Sequence, residues 1–189
     1  MSNNIIEDEK FDKITVNELN KSSQYNDCIF SNCDFSNANL NNFEFIDCTF
    51  DFCNLSMTKF EGTSLNDITF TNCKLMGIDF SKCVTFLFSV SFDKCILNYA
   101  LFQKNDLKKT QFKTCTMNEM SFIESNLTNA VLKDCDLLNT NFDHCNLEKT
   151  DFTTARNYII DPSANKLKKT KFSLPDVVGL LAQHDIVIV

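Results

Sequence analysis

Ten cysteines and two histidines are the residues of this sequence whose side chains most readily do chemistry. A thiolate can act as a nucleophile, a redox group or a zinc ligand, and an imidazole can serve as a base or a further ligand. Zinc and redox sites are usually marked by close pairs such as Cys-x-x-Cys, and the sequence contains no such pair. We therefore predict neither a metal nor a cofactor, and we expect reduced, unreactive thiols.

His144 and Cys145 are neighbours, which is the combination that a nucleophile and its base would need. In an extended chain, however, adjacent side chains point to opposite sides. We expect Cys145 to face the interior and His144 to face solvent, while His184 interacts with the C-terminal dipole of a helix. Since the sequence also lacks a Gly-rich phosphate loop and a serine elbow, it predicts a protein that is not an enzyme.

The cysteines belong to a repeat of five residues. A helix repeats after 3.6 residues and a strand after two, so a period of five fits short extended pieces broken by regular corners. The repeated Phe, Leu or Met side chains form a predicted core ladder, which slips by two residues between Phe80 and Leu87. The residue two before each ladder position should also point inward, and all ten cysteines occupy that phase, where they pack as small hydrophobes. The ladder residues are Phe30, Phe35, Leu40, Phe45, Phe50, Leu55, Phe60, Leu65, Phe70, Leu75, Phe80, Leu87, Phe92, Leu97, Phe102, Leu107, Phe112, Met117, Phe122, Leu127, Leu132, Leu137, Phe142, Leu147 and Phe152.

The units that begin at Cys33, Ala38 and Cys145 resemble the pentapeptide repeat family. The family consensus is a small residue, Asn or Asp, Leu or Phe, and two polar residues. The resemblance covers about residues 24–157. It implies an all-β solenoid, namely a right-handed quadrilateral β-helix with one pentapeptide on each face.

Three segments follow from this pattern. Residues 1–23 lack the repeat and are predicted to form an N-terminal cap, residues 24–157 the β-helix, and residues 158–189 an atypical last turn, a short C-terminal helix and a tail. Ser173 suits a helix N-cap and Pro175 a first helical turn. Caps are needed because bare solenoid ends expose sheet edges.

The register slip lies within residues 82–90, where two residues too many are present. We expect a bulge at a corner, with Leu87 inward and both Phe86 and Phe88 outward by alternation. Two interpretations stay open. The rings fold back over the adjacent face, or they form an exposed aromatic contact site for a partner protein.

The C-terminal tail is apolar enough to predict an interface. In the quinolone-resistance (Qnr-type) branch of the family a comparable helix and tail form a homodimer, so the resemblance implies a homodimer here. The alternative is a monomer in which the helix only caps the last coil. The predicted dimerisation residues are Val177, Val178, Leu180, Leu181, Ile186 and Ile188.

Charge and hydropathy restrict the partners. The net charge is −7, and the acidic start MSNNIIEDEK does not look like a signal peptide. No apolar run is long enough to span a bilayer, so we expect a cytoplasmic protein that binds neither membranes nor nucleic acid. The Qnr-type resemblance implies a DNA mimic that binds DNA gyrase or topoisomerase IV and protects it from quinolones.

The charge is distributed unevenly. Residues 24–80 hold eight acids against two lysines, net −6, whereas residues 81–155 hold nine acids against eight lysines, net −1. The tail carries a basic cluster within residues 166–171. An acidic rod that mimics DNA along its whole length does not fit this distribution. A structural or interaction scaffold with an unidentified partner is therefore the alternative function.

Overall fold

The computed structural model describes residues 4–21, 23–184 and 186–187. Over these residues the chain winds into a parallel β-solenoid, which confirms the predicted fold class. The strands of the described residues have three or four residues each and are β1 (Asn4–Glu7), β2 (Lys10–Asp12), β3 (Ser23–Asn26), β4 (Ile29–Ser31), β5 (Glu44–Ile46), β6 (Thr49–Asp51), β7 (Ser64–Asn66), β8 (Ile68–Thr71), β9 (Val90–Asp93), β10 (Leu101–Gln103), β11 (Gln111–Lys113), β12 (Ser121–Ile123), β13 (Val131–Lys133) and β14 (Asn141–Asp143). Short 3₁₀ helices lie at Val16–Glu18, Phe80–Lys82 and Val177–Leu180. No helix in these parts of the chain is long and apolar enough to cross a membrane.

Each strand pairs in parallel with the strand one coil away. Register partners are usually twenty residues apart, as in Phe50 opposite Phe70. The pairing builds a seven-stranded sheet (β13-β11-β9-β8-β6-β4-β2), a four-stranded sheet (β1-β3-β5-β7) and a three-stranded sheet (β10-β12-β14). Isolated bridges such as Asp34–Asn54 form the remaining wall, so each coil has four walls of about one pentapeptide.

The first coil lies inside the segment that the sequence predicts as a cap. Strands β1 and β2 pair with β3 and β4, with an offset of nineteen residues, as in Phe11 opposite Phe30. This coil contains the 3₁₀ helix Val16–Glu18, which Thr15 begins with a capping box. Phe11 covers the first rung of the ladder, since its ring stacks on Phe30 with centroids 4.9 Å apart.

The core is a column of side chains inside the coil. All ladder residues except Leu87 are buried. Rings on one wall stack from coil to coil, with centroids 4.7 Å apart for Phe30–Phe50 and 5.2 Å for Phe92–Phe112. Burying one such side chain contributes about 1.5–3 kcal/mol, which opposes the entropy cost of ordering the backbone.

The corners of the coil take a left-handed backbone. In the described residues, 26 non-glycine residues have φ between 51° and 63°, and Gly62 and Gly77 join them. Asn, Asp and Lys hold 18 of these 26 positions. Asn and Asp tolerate this conformation better than most residues do, which explains how a chain with only 3 glycines turns so often.

The C-terminal end is closed by an irregular segment. The predicted C-terminal helix is the four-residue 3₁₀ helix Val177–Leu180. A hydrogen bond from the Ile160 N–H to the Gly179 carbonyl, at 3.2 Å, attaches this helix to the last coil. The rings of Tyr158 and Phe172 lie against Phe152 with centroids 5.6 and 5.4 Å away, and they close the last coil. In the predicted tail, residues 186–187 have no regular structure, and residues 185, 188 and 189 lie outside the described residues.

Candidate protein-interaction surfaces

All ten cysteines are buried free thiols. Six of them occupy successive coils in one column: Cys33, Cys53, Cys73, Cys95, Cys115 and Cys135. Each of the later five thiols hydrogen bonds to a carbonyl of the preceding coil, as Cys53 does to the Phe30 carbonyl at 3.2 Å. Within the described residues, no group of three or more His, Cys, Asp and Glu side chains is placed to hold a metal ion.

Burial favours the protonated form of several of these thiols. Burial raises the pKa of Cys48 and of Cys83 to about 12 and that of Cys145 to about 11. In the six-residue column, hydrogen bonds between neighbouring thiols, together with burial, raise the pKa of Cys53, Cys95 and Cys135. The same thiol–thiol hydrogen bonds lower the pKa of Cys73 and Cys115. Because the thiolate is the reactive form, the raised pKa values favour a packing role over a nucleophilic one at Cys48, Cys83 and Cys145.

His144 and Cys145 do not meet. The His144 side chain is 70% exposed at a corner, and its Nδ1 lies 2.6 Å from Asp143 Oδ1. Cys145 points inward and donates to the Phe122 carbonyl at 3.3 Å. The exposed His184 lies in a turn after the last 3₁₀ helix. These two histidines therefore complete no nucleophile–base pair with a cysteine.

The register slip produces an outward loop of residues 84–87, which we call the mid-wall loop. Here the sequence prediction is wrong for two residues. Leu87 is 58% exposed instead of buried, and Phe88 is only 8% exposed instead of outward. Alternation fails because the chain is not extended there: the Phe88 N–H donates to the Thr85 carbonyl at 3.4 Å, and Leu87 has a φ of 56°. Phe88, rather than Leu87, is therefore the next residue after Cys83 whose side chain points into the core.

The mid-wall loop presents an apolar surface. Phe86 is 75% exposed, as the sequence predicts, and Val84 and Leu87 are exposed beside it. The loop interrupts the wall on which β1, β3, β5 and β7 pair, which we call the β1 wall. That wall continues beyond the loop through the bridges from Asp106 to Lys166.

The coils before the loop give the β1 wall an acidic half. Four aspartates, Asp8, Asp27, Asp47 and Asp67, stack at one corner, all exposed and all with positive φ. Glu7 and Glu44 lie on the same wall, and residues 4–8, 24–27, 44–47 and 64–67 contain no Lys or Arg. Coils lie about 4.8 Å apart, so the six carboxylates are spread along about 14 Å of the rod. Sequence reasoning found the charge imbalance but missed this stacking, which the twenty-residue spacing signals.

The coils after the loop give the same wall a basic half. The same corner holds Lys109, Lys149 and Lys169, all with positive φ. Lys108 also lies there and pairs with Asp106 at 3.0 Å. The predicted basic cluster divides between two walls, since Lys166, Lys168 and Lys169 join the β1 wall while Lys171 pairs with Asp151 on the next wall at 3.0 Å.

The C-terminal end leaves several apolar side chains in contact with solvent. Of the predicted dimerisation residues, Val178, Leu181 and Ile186 are exposed, Val177 and Leu180 are partly buried, and Ile188 lies outside the described residues. Leu180 packs against the core. The predicted homodimer through this end stays a prediction.

Comparison with known proteins identifies the repeat. The family model for the "Pentapeptide repeat region" matches residues 23–86 and 85–156. Among solved structures, two trypsin-treated variants of QnrB1, a plasmid-mediated fluoroquinolone resistance protein, match with TM-scores of 0.62 and 0.57. They are 21% and 22% identical to this chain, and each match covers 98% of both chains. No curated protein matches the sequence. At these identities the likeness to QnrB1 is one of fold.

Proposed function

The chain belongs to the pentapeptide repeat family, and we propose that it is a non-catalytic protein that binds a topoisomerase through the acidic half of its β1 wall. The Qnr-type resemblance implies DNA gyrase or topoisomerase IV as the partner, and protection from quinolones as the outcome. The observation that carries the proposal is the stack of Asp8, Asp27, Asp47 and Asp67 with Glu7 and Glu44 beside it.

The acidic half supports competition with DNA on physical grounds. Six carboxylates on four coils give one charge per ~3.2 Å, against about 1.7 Å per charge in duplex DNA. The solenoid backbone holds these charges in a fixed row, so binding need not order a flexible segment. A row of like charges also attracts a basic DNA-binding groove at long range. The mimicry is confined to this half, because the part of the β1 wall beyond the loop is basic.

A gyrase supercoiling assay with a quinolone tests the proposal. We expect the protein to restore supercoiling at micromolar concentration, and the variant Asp27→Asn, Asp47→Asn, Asp67→Asn to need at least tenfold more. Asn suits these corners, since Asn32 and Asn72 already have positive φ in the chain.

A control variant removes the same charge elsewhere. Glu119 and Asp134 sit at positive-φ corners that do not border the β1 wall, and Asp34 lies on the wall of the Asp34–Asn54 bridge. The control Asp34→Asn, Glu119→Gln, Asp134→Asn should therefore protect like the parent. Lack of rescue at high excess, or equal loss in both variants, would reject binding through the acidic half. A scaffold that binds another protein would then be favoured by the exposed Phe86 and Leu87.

We also propose that the protein acts in the cytoplasm and that two chains join through their C-terminal ends. Exposed Val178, Leu181 and Ile186 support the second point, because pairing would remove them from water. Light scattering of the intact protein and of the variant Val178→Ser, Leu181→Ser tests it. A dimer that the variant leaves unchanged would place the interface elsewhere.

A further inference from the structure

One corner of the β1 wall carries charges that reverse sign at its midpoint. Coil by coil, its residues are Asp8, Asp27, Asp47, Asp67, Ser89, Lys109, Asn129, Lys149 and Lys169. The strand register shows that they stack: Ile68 pairs with Val90 and Phe92 with Phe112, which places Ser89 between Asp67 and Lys109. We call these nine residues the corner column.

From this arrangement we infer that the β1 wall is a self-complementary surface on which a second copy of this chain packs antiparallel. A two-fold axis through the coil of Ser89 would set Asp67 against Lys109 of the other copy. The same operation sets Asp27 against Lys149 and Asp8 against Lys169, and it sets Asp47 against Asn129. Three of the four aspartates therefore meet a lysine, and each such pair occurs twice.

The alternative orientation is disfavoured by the same charges. Parallel packing would set aspartate against aspartate and lysine against lysine along the whole column, and like charges in contact oppose association. Among the described residues, the aspartates of the column have no ion-pair partner within their own chain. Their charge is thus available to a second copy.

The centre of the surface is shaped for contact with itself. The apolar mid-wall loop projects beside the midpoint, with Phe86 75% exposed. Next to it lies a cavity of about 320 Å³ whose lining includes Asp67, Ser89, Val90 and Lys109. A projection and a recess on the same patch make a two-fold interface self-complementary, and here both lie beside the coil through which the axis passes. The expected interface has an apolar centre and charged ends.

This surface is distinct from the C-terminal end. It shares its acidic half with the topoisomerase proposal, but neither proposal requires the other to hold. An antiparallel pair leaves one C-terminal end free at each side. If those ends also join, the rods form open chains whose mass grows with concentration, so total mass alone does not identify the surface. The test must therefore report on the β1 wall itself.

A single added cysteine provides that report. All ten native cysteines are buried, so a short bismaleimide will react chiefly with the added thiol. Ser89→Cys lies on the expected axis and should cross-link to its own copy in the full-length protein. Tyr99→Cys is the control, because Tyr99 is 57% exposed on the same coil but on another wall. Cross-linking of Ser89→Cys no greater than that of Tyr99→Cys would overturn the inference.

Charge reversal tests the orientation. Variant A carries Asp27→Lys and Asp67→Lys, and variant B carries Lys109→Asp and Lys149→Asp, each combined with Ser89→Cys. Both residue types already occupy this corner with positive φ, so the backbone should tolerate each change. We expect each variant alone to self-associate at least tenfold more weakly than the parent, and an equal mixture to recover the cross-link as an A–B pair. Failure of the mixture to recover it would refute the antiparallel register.

Salt and the loop give two further readouts. Raising the salt concentration should reduce cross-linking of Ser89→Cys. The Asp–Lys pairs at the two ends of the interface are weakened when salt screens their charges. Phe86→Ser with Leu87→Ser should reduce the cross-link at least tenfold without changing the melting temperature, because both side chains are exposed in the single chain. A cross-link unaffected by both changes would show that a different contact brings the two copies together.

Discussion

Replacing Phe102 by alanine tests how the solenoid core is built. Phe102 is fully buried, and its ring stacks on Phe80 at 4.5 Å and on Phe122 at 5.6 Å between centroids. It also makes edge contacts with Phe88 and Phe92, at 6.4 and 6.3 Å. The substitution therefore removes contacts to the coils on both sides as well as within its own coil.

The expected loss lies near the top of the usual range. Phe→Ala in a core costs about 3–5 kcal/mol, and each aromatic pair adds about 0.5–1.5 kcal/mol beyond area burial. Collapse of the walls into the cavity is opposed by the backbone ladder, in which the Leu101 N–H donates to the Ile78 carbonyl and the Ser121 N–H to the Ala100 carbonyl. We therefore expect a loss of about 4–5 kcal/mol in the free energy of unfolding.

Phe86→Ala is the matched control, because it removes the same atoms from a side chain that is 75% exposed. It should change stability by no more than about 0.5 kcal/mol. Urea titrations followed by circular dichroism and by hydrogen exchange give both values, and agreement of the two probes checks that a repeat protein unfolds as one unit. Similar losses for Phe102→Ala and Phe86→Ala would refute the inward ladder.

Three further outcomes are expected. A maleimide reagent should label few of the ten cysteines until the protein is denatured, and rapid labelling of most of them in the native state would contradict their burial. Thr114→Asn should stabilise the protein by about 0.5–1 kcal/mol, because a β-branched residue is strained at its φ of 54°, whereas Thr116→Asn, outside the left-handed region, should not. Gly179→Ala should loosen the C-terminal end and speed its proteolysis, because an added Cβ would collide with the Tyr158 carbonyl oxygen; unchanged cleavage would show that this contact is dispensable.

The period of five predicted the inward ladder because burial of one side chain per wall is the strongest constraint on such a chain. It failed locally at Leu87, since alternation describes extended backbone and the chain there makes a turn closed by Phe88 and Thr85. The first coil was missed for a related reason. Ile6 and Phe11 sit nineteen rather than twenty residues before their register partners, so they fall out of phase with the repeat.

The left-handed backbone conformation of the corner residues could not be predicted from residue type alone. Asn32 and Asp47 suit a left-handed corner, but Phe52 and Tyr99 adopt it as well, with φ of 52° and 63°. At those positions the hydrogen-bond ladder imposes the conformation against local preference. The corner column could have been found from the sequence, because Asp27, Asp47 and Asp67 recur at the twenty-residue spacing of the coil.

The acidic half of the β1 wall is assigned two partners, and they exclude one another. A second copy would cover Asp27 and Asp67 with Lys149 and Lys109, so only a chain released from the antiparallel pair presents the row of carboxylates to a topoisomerase. Partner binding and self-association are then linked through mass action. Gyrase added in excess should lower the Ser89→Cys cross-link, and variant A, which has lost two of the carboxylates, should neither self-associate nor protect. Protection that persists while the cross-link stays constant would show that the two partners use different surfaces.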